Sequence, residues 1–345
     1  MTTLRLGGRA ALLVEAENER DVELAARDAE ADGRAIFVLG GGSNVVIGDD
    51  GFDGLVVRMA SRGVEVTREG DRVIVDAAAG EAWDALVERA AGEGWSGIEA
   101  MSGIPGLVGA TPMQNVGAYG QDVAETIVRV RAFDRKARAF VDIDAADCGF
   151  EYRGSKFKAS DRWIVVRVVY ALRARGGAPV RYAELARALG VEEGQSAPPQ
   201  TIRDTVIRLR RAKGMVLDAG DPDSVSAGSF FVNPVVDDEG LRDVERSARD
   251  AGLASDAALM PRFAMPRGKW KLSAGWMIER VGFPKGFGHG NVGVSRKHAL
   301  ALVHRGGGTT RELLDLARAI RAAIHARFGL VVVPEPVLVG CALGP

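Results

Sequence analysis

The chain has 345 residues, enough for two or three domains and for a core that needs no disulfide or metal staple. Its 47% hydrophobic and 26% charged residues exclude wholesale disorder. Forty-five Lys+Arg against 46 Asp+Glu leave a formal charge of −1, so no global positive field exists to hold nucleic acid or an anionic membrane.

In chain order, residues 18–33 read as a helix: Asn18 caps it, Val22, Leu24 and Ala25 give an apolar face, and Gly33 stops it. Ile36–Leu39 is a short buried strand. Gly40–Asn44 (GGGSN) follows, then the β-rich Val45–Ile47, a turn at 49–51 and a strand at 55–58. The opening is βαβ-like, with a loop and strand after the glycines in place of a helix. Residues 64–67 and 72–76 make a hairpin, and 81–92 form a helix with Trp83, Leu86, Val87 and Ala90 on one face. Strands are expected at 126–133, 138–143 and 163–172, and helices at 181–189, 201–213 and 239–251. The clearest helix is 310–328. Thr309 and Glu312 have capping-box spacing, Leu313, Leu316, Ala317, Ile320 and Ile324 share a face, and Gly329 follows. A last buried strand, Leu330–Val333, ends in Pro334-Glu335-Pro336. The class is α+β.

Two cysteines, Cys148 and Cys341, lack metal spacing and form no CxxC pair, which points to a reducing compartment. The first residues make a poor signal peptide, and no stretch approaches the ~18 apolar residues of a membrane span. A soluble cytoplasmic protein is expected, without membrane insertion. His289, His298, His304 and His325 show no ligand spacing, and no metal site is expected.

Glycine is the outlier, at 44 residues, gathered at 40–42, 103–109, 117–120, 286–293 and 306–308. Such clusters mean tight turns or backbone brought close to a partner. GGGSN after a strand is either a plain turn or an anion nest, but no GK[ST] follows and no helix opens there, so it is neither a Walker loop nor a Rossmann fingerprint. Residues 102–123 (SGIPGLVGATPMQNVGAYGQDV) suit a backbone wall against a flat ring, with Gln114, Asn115 and Tyr119 as hydrogen bonders, or else a glycine-rich crossover. Three further spots stand out: Arg153 in EYRGSKFK, Ser229 in GSFFVNP, and Glu335 between two prolines. Each has a bland reading, respectively a surface charge, a turn serine and a salt-bridged strand end.

Taken in order, TLRLGG, GGGSN, IPGLVGATPMQNVGAYG, YRGSKFK, AGSFFVNP, SAGWMIE and the terminal PEPVLVG resemble the UDP-N-acetylenolpyruvoylglucosamine reductase family over nearly the whole chain. RYAEL, residues 181–185, is similar to the tyrosine-bearing insertion of its type I branch. The resemblance implies a two-lobed FAD-binding fold of the vanillyl-alcohol-oxidase/PCMH type plus a separate α+β substrate-binding domain. The implied division is 1–65 (completed by 329–345) and 66–215 for the two lobes, and 216–328 for the substrate domain.

The same resemblance implies roles. Gly40, Gly41, Gly42, Ser43 and Asn44 would hold the FAD pyrophosphate, and Gly103, Ile104, Pro105, Gly106, Gly109 and Gly117 would line the non-covalently bound flavin. Arg153 and Glu335 match the pair that polarises the substrate carboxylate, and Ser229 the proton donor. Gln114, Asn115 and Tyr119 fall in the substrate part of the loop. Tyr182, Lys213 and Asn233 match positions that hold the UDP diphosphate and sugar, and His298 one near the substrate. Two positions depart: Val337 stands in place of the usual Arg of the C-terminal motif, and Ala110 in place of a Ser of some members. The implied reaction is NADPH-dependent conversion of UDP-N-acetylglucosamine enolpyruvate to UDP-N-acetylmuramate for peptidoglycan, in a monomer. The alternative on the same fold is an FAD-dependent oxidase of alcohols or phenols.

Overall fold

The computed structural model describes residues 1–158, 160–253, 260–288 and 290–344; His289 lies outside them. Two compact units divide the chain. One comprises Ala10–Gly42 and Phe52–Val216, and the other Met1–Arg9, Ser43–Gly51 and Leu217–Pro345.

In the first unit, helix α1 spans Glu19–Ala31. Asn18 caps it by accepting from the Asp21 N–H at 3.1 Å, and Val22, Ala25, Ala26 and Ala29 are its buried face. It packs on a three-stranded parallel sheet in which Phe52–Met59 lies between Ala10–Ala16 and Ile36–Leu39. Ala10–Ala16 is a strand that the apolar periodicity did not reveal. It is an edge strand with Leu12 and Leu13 more than 40% exposed, so it lacks the buried alternation that marks a strand.

The same unit holds a five-stranded antiparallel sheet in the order Ala139–Asp144, Ile127–Asp134, Trp163–Arg173, Arg72–Ala78, Val64–Glu69. Its central strand, WIVVRVVYALR, is buried on both faces. Ile164 and Val166 join the α1 core, while Val165, Val168, Tyr170 and Leu172 join a second core built on helix α2, Trp83–Gly92. A bulge between Val165 and Arg167 accounts for the change of parity. Helix α3, Ala183–Leu189, ends on Gly190 in the left-handed conformation. Helix α4, Pro199–Ala212, packs against both α2 and α3.

The second unit has one core, which includes Leu4, Val46, Phe230, Phe231, Ile320 and Leu343. Helices α5 (Asp238–Asp250), α6 (Ala274–Arg280) and α7 (Thr310–Phe328) surround it with short antiparallel sheets. The capping box at Thr309 and Glu312 forms, and Gly329 closes α7 in the left-handed region at φ 68°.

The expected strand Leu330–Val333 does not form. Val332 is buried, but Val331 and Val333 are exposed, so the run is one-sided. Pro334 and Pro336 carry no N–H, and regular pairing resumes only after them. The strand is Val337–Val339, parallel to Val45–Ile47. No helix among the described residues is long and apolar enough to cross a membrane.

Because Ile320 is fully buried on α7, Ile320→Ala should lower unfolding free energy by about 2–5 kcal/mol, whereas Thr309→Ala, which removes only the cap, should cost about 1 kcal/mol. Urea denaturation of both variants checks the ranking; equal losses would mean that the cap, not the core, holds this helix.

Candidate active site

In the first unit the loop that follows α2 is tied down at its start. The Gly103 N–H donates to Asp84 Oδ1 at 2.6 Å, and Arg203 of α4 pairs with both oxygens of the same carboxylate at 2.6 and 3.1 Å. Burial raises the Asp84 carboxyl, but the bonds from Arg203 and Gly103 outweigh it and hold the group below the usual range. Farther along, the Val108 N–H donates to the Glu81 carbonyl and the Gly109 N–H to the Ala79 carbonyl, both at 2.9 Å. Ile104 and Pro105 are half-buried between these anchors.

The glycines here are closely approached by distant segments. A Cβ on Gly41 would lie 2.7 Å from Gly106 Cα, and one on Gly109 would lie 2.5 Å from Ala79 Cβ. Gly40 and Gly42 flank Gly41, and Gly103 takes φ +71°. Two loops distant in sequence, 40–42 and 103–106, therefore touch without intervening side chains.

Six described non-glycine residues have positive φ, and three of them are Asn115, Tyr119 and Arg153, at 46°, 48° and 55°. Strain of this kind persists only where surrounding contacts over-determine it. Those contacts are visible. Asn115 Oδ1 accepts from the Ala124 N–H at 3.0 Å, and its Nδ2 donates to the Glu151 carbonyl at 3.3 Å. Arg153 Nη2 donates to the Gly117 carbonyl at 3.0 Å, and Lys158 Nζ donates to the Arg153 carbonyl at 2.8 Å. Ser155 Oγ donates to the Met113 carbonyl at 2.7 Å, next to the half-buried Gln114.

Tyr119 meets Tyr182 edge-on, ring centroids 5.5 Å apart. Lys213 Nζ lies 5.6 Å from the Tyr119 ring and 2.6 Å from Glu184. Burial pushes the Tyr119 hydroxyl up to about 12 and raises Tyr182 as well, so both phenols stay proton donors near neutral pH. Arg153, Tyr119, Tyr182 and Lys213, far apart in sequence, thus belong to one unit.

The second unit collects the rest. Ser229 ends the strand Ser226–Ser229, opposite Ala301, after a bulge at Gly228 (φ +77°). The next residues, Phe230 and Phe231, are buried with rings 5.1 Å apart. The tail pairs with them. The Glu335 N–H donates to the Phe230 carbonyl at 2.8 Å, and the Val232 N–H to the Val333 carbonyl at 3.0 Å. Asn44 Nδ2 donates to the Glu335 carbonyl at 3.3 Å, so Asn44, next to Ser43, reaches the same place. Asn233 Oδ1 accepts from the Ala274 N–H at 2.9 Å at the start of α6. The turn at His298 precedes Leu300, whose carbonyl accepts from the Phe230 N–H at 2.7 Å.

With this arrangement in view, the comparisons decide the family. A relative from Thermobifida fusca, named UDP-N-acetylenolpyruvoylglucosamine reductase, is 49% identical over 99% of this chain and 96% of its own length. One of the same name from Salinispora arenicola is 51% identical over 99% and 94%. The chain belongs to the UDP-N-acetylenolpyruvoylglucosamine reductase family. The family's C-terminal domain matches residues 221–339, and an FAD binding domain matches 10–140. The solved reductase of Thermus caldophilus shares the fold, with TM-score 0.64 at 24% identity over 98% of this chain and 95% of that one.

The residues of this reductase-family chain fit FAD. The matched domain contains both the 40–42 and the 103–109 glycines, and their backbone-to-backbone contact leaves peptide groups, not side chains, to face a flat ring and a pyrophosphate. The sequence reading missed Asp84, Arg203 and Arg210, which hold or adjoin Gly103. Their charges look like an ordinary solvated helix face until burial is known.

Gly41→Ala should weaken FAD binding at least about tenfold, ~1.4 kcal/mol, because its Cβ must displace Gly106. Gly92→Ala, with open space around it, should not. Fluorescence titration of apoprotein with FAD measures both; unchanged affinity in Gly41→Ala would remove the glycine contact from the cofactor site.

Proposed function

We propose that this chain reduces the enol ether of UDP-N-acetylglucosamine enolpyruvate to UDP-N-acetylmuramate, with non-covalent FAD as its cofactor and NADPH as the reductant, in the cytoplasm. The observation that carries the reading is the backbone bond from the Glu335 N–H to the Phe230 carbonyl, which brings the tail residue Glu335 to the chain segment that directly follows Ser229. Family membership favours a reductase over an oxidase of alcohols or phenols.

Bound FAD supplies the hydride chemistry. Residues 40–44 would hold its pyrophosphate, and Gly103, Ile104, Pro105, Gly106, Gly109 and Gly117 would wall its ring. As hydride reaches the β-carbon of the enol ether, an electron pair moves through the α-carbon into the carboxylate. Groups that bind this developing dianion better than the starting anion lower the barrier. Arg153 does so with charge-assisted bonds, from a backbone already fixed in its left-handed conformation. Glu335 can add to it only in its acid form, donating to a carboxylate oxygen. Ser229 then delivers the proton to the α-carbon, and a relay donor restores its own. Phe230 and Phe231 keep the surround apolar.

Tyr182, Lys213 and Asn233 take the diphosphate and sugar, with Lys213 exchanging its Glu184 partner for phosphate. Tyr119, Gln114, Asn115 and His298 complete the substrate set, with Asn115 acting through the backbone it holds. Val337 leaves the carboxylate without the family's usual C-terminal Arg, which makes this chain lean on Arg153.

Ser229→Ala should leave reduction of the flavin by NADPH intact and slow reoxidation by the enolpyruvyl sugar by about 10²–10⁴. Stopped-flow absorbance separates the two steps; equal loss in both would point to misfolding or a wrong assignment. Glu335→Ala should slow the same reoxidation step, and Glu335→Gln, which keeps a hydrogen-bond donor, should recover part of the loss; reoxidation at the unsubstituted rate in Glu335→Ala would remove Glu335 from the role.

A further inference from the structure

Tyr119 stands at the tip of a hairpin that its own ladder cannot hold. The strands Gly117–Ala118 and Gln121–Asp122 have two residues each and pair only with one another. A two-stranded ribbon this short is marginal in water. Its turn adds a further cost. Tyr119 and Gly120 both take positive φ, 48° and 84°, a turn that favours Asn-Gly and disfavours an aromatic residue at its first central position. Contacts outside the hairpin must therefore fix it.

Two side chains supply them, one for each strand. Arg153 Nη2 donates to the Gly117 carbonyl at 3.0 Å. On the other strand the Gln121 side chain reaches the short turn Glu99–Met101. Its Oε1 accepts from the Ala100 N–H at 2.9 Å, and its Nε2 donates to Glu99 Oε1 at 3.0 Å. The Ala100 N–H can only donate, so the orientation of the Gln121 amide is settled and Glu99 is the acceptor. The other oxygen, Glu99 Oε2, accepts from the Gly97 N–H at 2.6 Å. Glu99 is fully buried. Without Gln121, one oxygen of a buried carboxylate would lose its donor, and the hairpin would lose its tie to the segment that leads into Gly103.

We propose that Gln121 and Glu99 are positioning residues for the substrate, a latch that fixes the hairpin so that the Tyr119 ring meets Tyr182 edge-on and lies 5.6 Å from Lys213 Nζ. The inference rests on the reading that Tyr119, Tyr182 and Lys213 take the substrate. Gln121 acts only through the ring two residues before it. An unlatched hairpin relaxes the strained turn, and the ring leaves its place beside Tyr182 and Lys213. Binding then has to supply the ordering that the latch now supplies in advance.

The test titrates flavin-loaded protein with UDP-N-acetylmuramate, read by flavin absorbance, in Gln121→Ala, Tyr119→Ala and the variant carrying both. Gln121→Ala should keep its flavin and bind at least about tenfold more weakly. Beside Tyr119→Ala it should add no further loss, because the latch then has no ring to place. Gln121→Glu sets two carboxylates against one another and should weaken binding more than Gln121→Ala does. Adding Glu99→Gln to it exchanges donor and acceptor, keeps one oxygen for each of the Gly97 and Ala100 N–H groups, and should recover most of the affinity. Full affinity in Gln121→Ala, a loss that persists beside Tyr119→Ala, or no recovery in the exchanged pair would overturn the proposal. Should Gln121→Ala fail to fold, Gln121→Met, of similar length but without the two bonds, takes its place in the same cycle with the same readings. Tyr119→Ala that binds UDP-N-acetylmuramate as tightly as the unsubstituted protein would instead overturn the assignment of Tyr119 to the substrate, on which the proposal rests.

Discussion

Asp84 is the fastener on which the first unit's site depends. One carboxylate receives both the Gly103 N–H and the fork of Arg203. It thereby ties three parts of the chain together: the start of α2, the head of the glycine loop and the middle of α4. A loop of this length otherwise has too many conformations to face a ligand reproducibly, and ordering it costs backbone entropy residue by residue. With Gly103 pinned, Gly106 can meet Gly41 backbone to backbone, and Arg210, in the last turn of α4, comes to lie beside Gly103. The same carboxylate takes the hydrogen bonds of Arg203, while Arg210 feels it only through space.

The second unit solves a related problem with backbone alone. Pro334 and Pro336 break what the apolar run 330–333 promises to be a strand. The N–H groups that remain, of Glu335 and of Val337 beyond the second proline, are the ones that bond: Glu335 to Phe230 and Val337 to Asn44. The main chain of Glu335, between two prolines, is therefore fixed against Phe230, the residue after Ser229. The φ of each flanking proline is restricted by its ring, which reduces the freedom lost in making this arrangement.

Strain and close approach gather at the same places. Asn115, Tyr119 and Arg153 all sit in the left-handed region, where side chains other than glycine are disfavoured, and each is held by bonds to or from distant backbone or by ring contacts. A surface held this way is ordered before any ligand arrives, so less binding free energy would be spent on ordering it. The exposed edge strand Ala10–Ala16 shows the opposite economy: it is held by its partner's ladder and by little burial of its own.

Much of this was legible in the residues. Helix α7 follows from its capping box, its apolar stripe and Gly329. The antiparallel strands follow from their alternation, and α1 from Asn18 and Gly33, because each signal lies within a few residues of the element it specifies. The ordered motifs likewise resembled the family to which the chain belongs, and the roles they imply for Arg153, Ser229 and Glu335 stand as proposals. What local pattern could not express is burial and partner choice. Nothing in PEP says that the strand lies after the prolines, and nothing in LRRAKG says that Arg210 is buried without an anion while Arg203 keeps one. Those are outcomes of contacts between segments more than a hundred residues apart, such as Asp84 with Arg203, and only the folded chain decides them, because the cost of an unpaired charge or donor is set by what surrounds it and not by its neighbours in sequence.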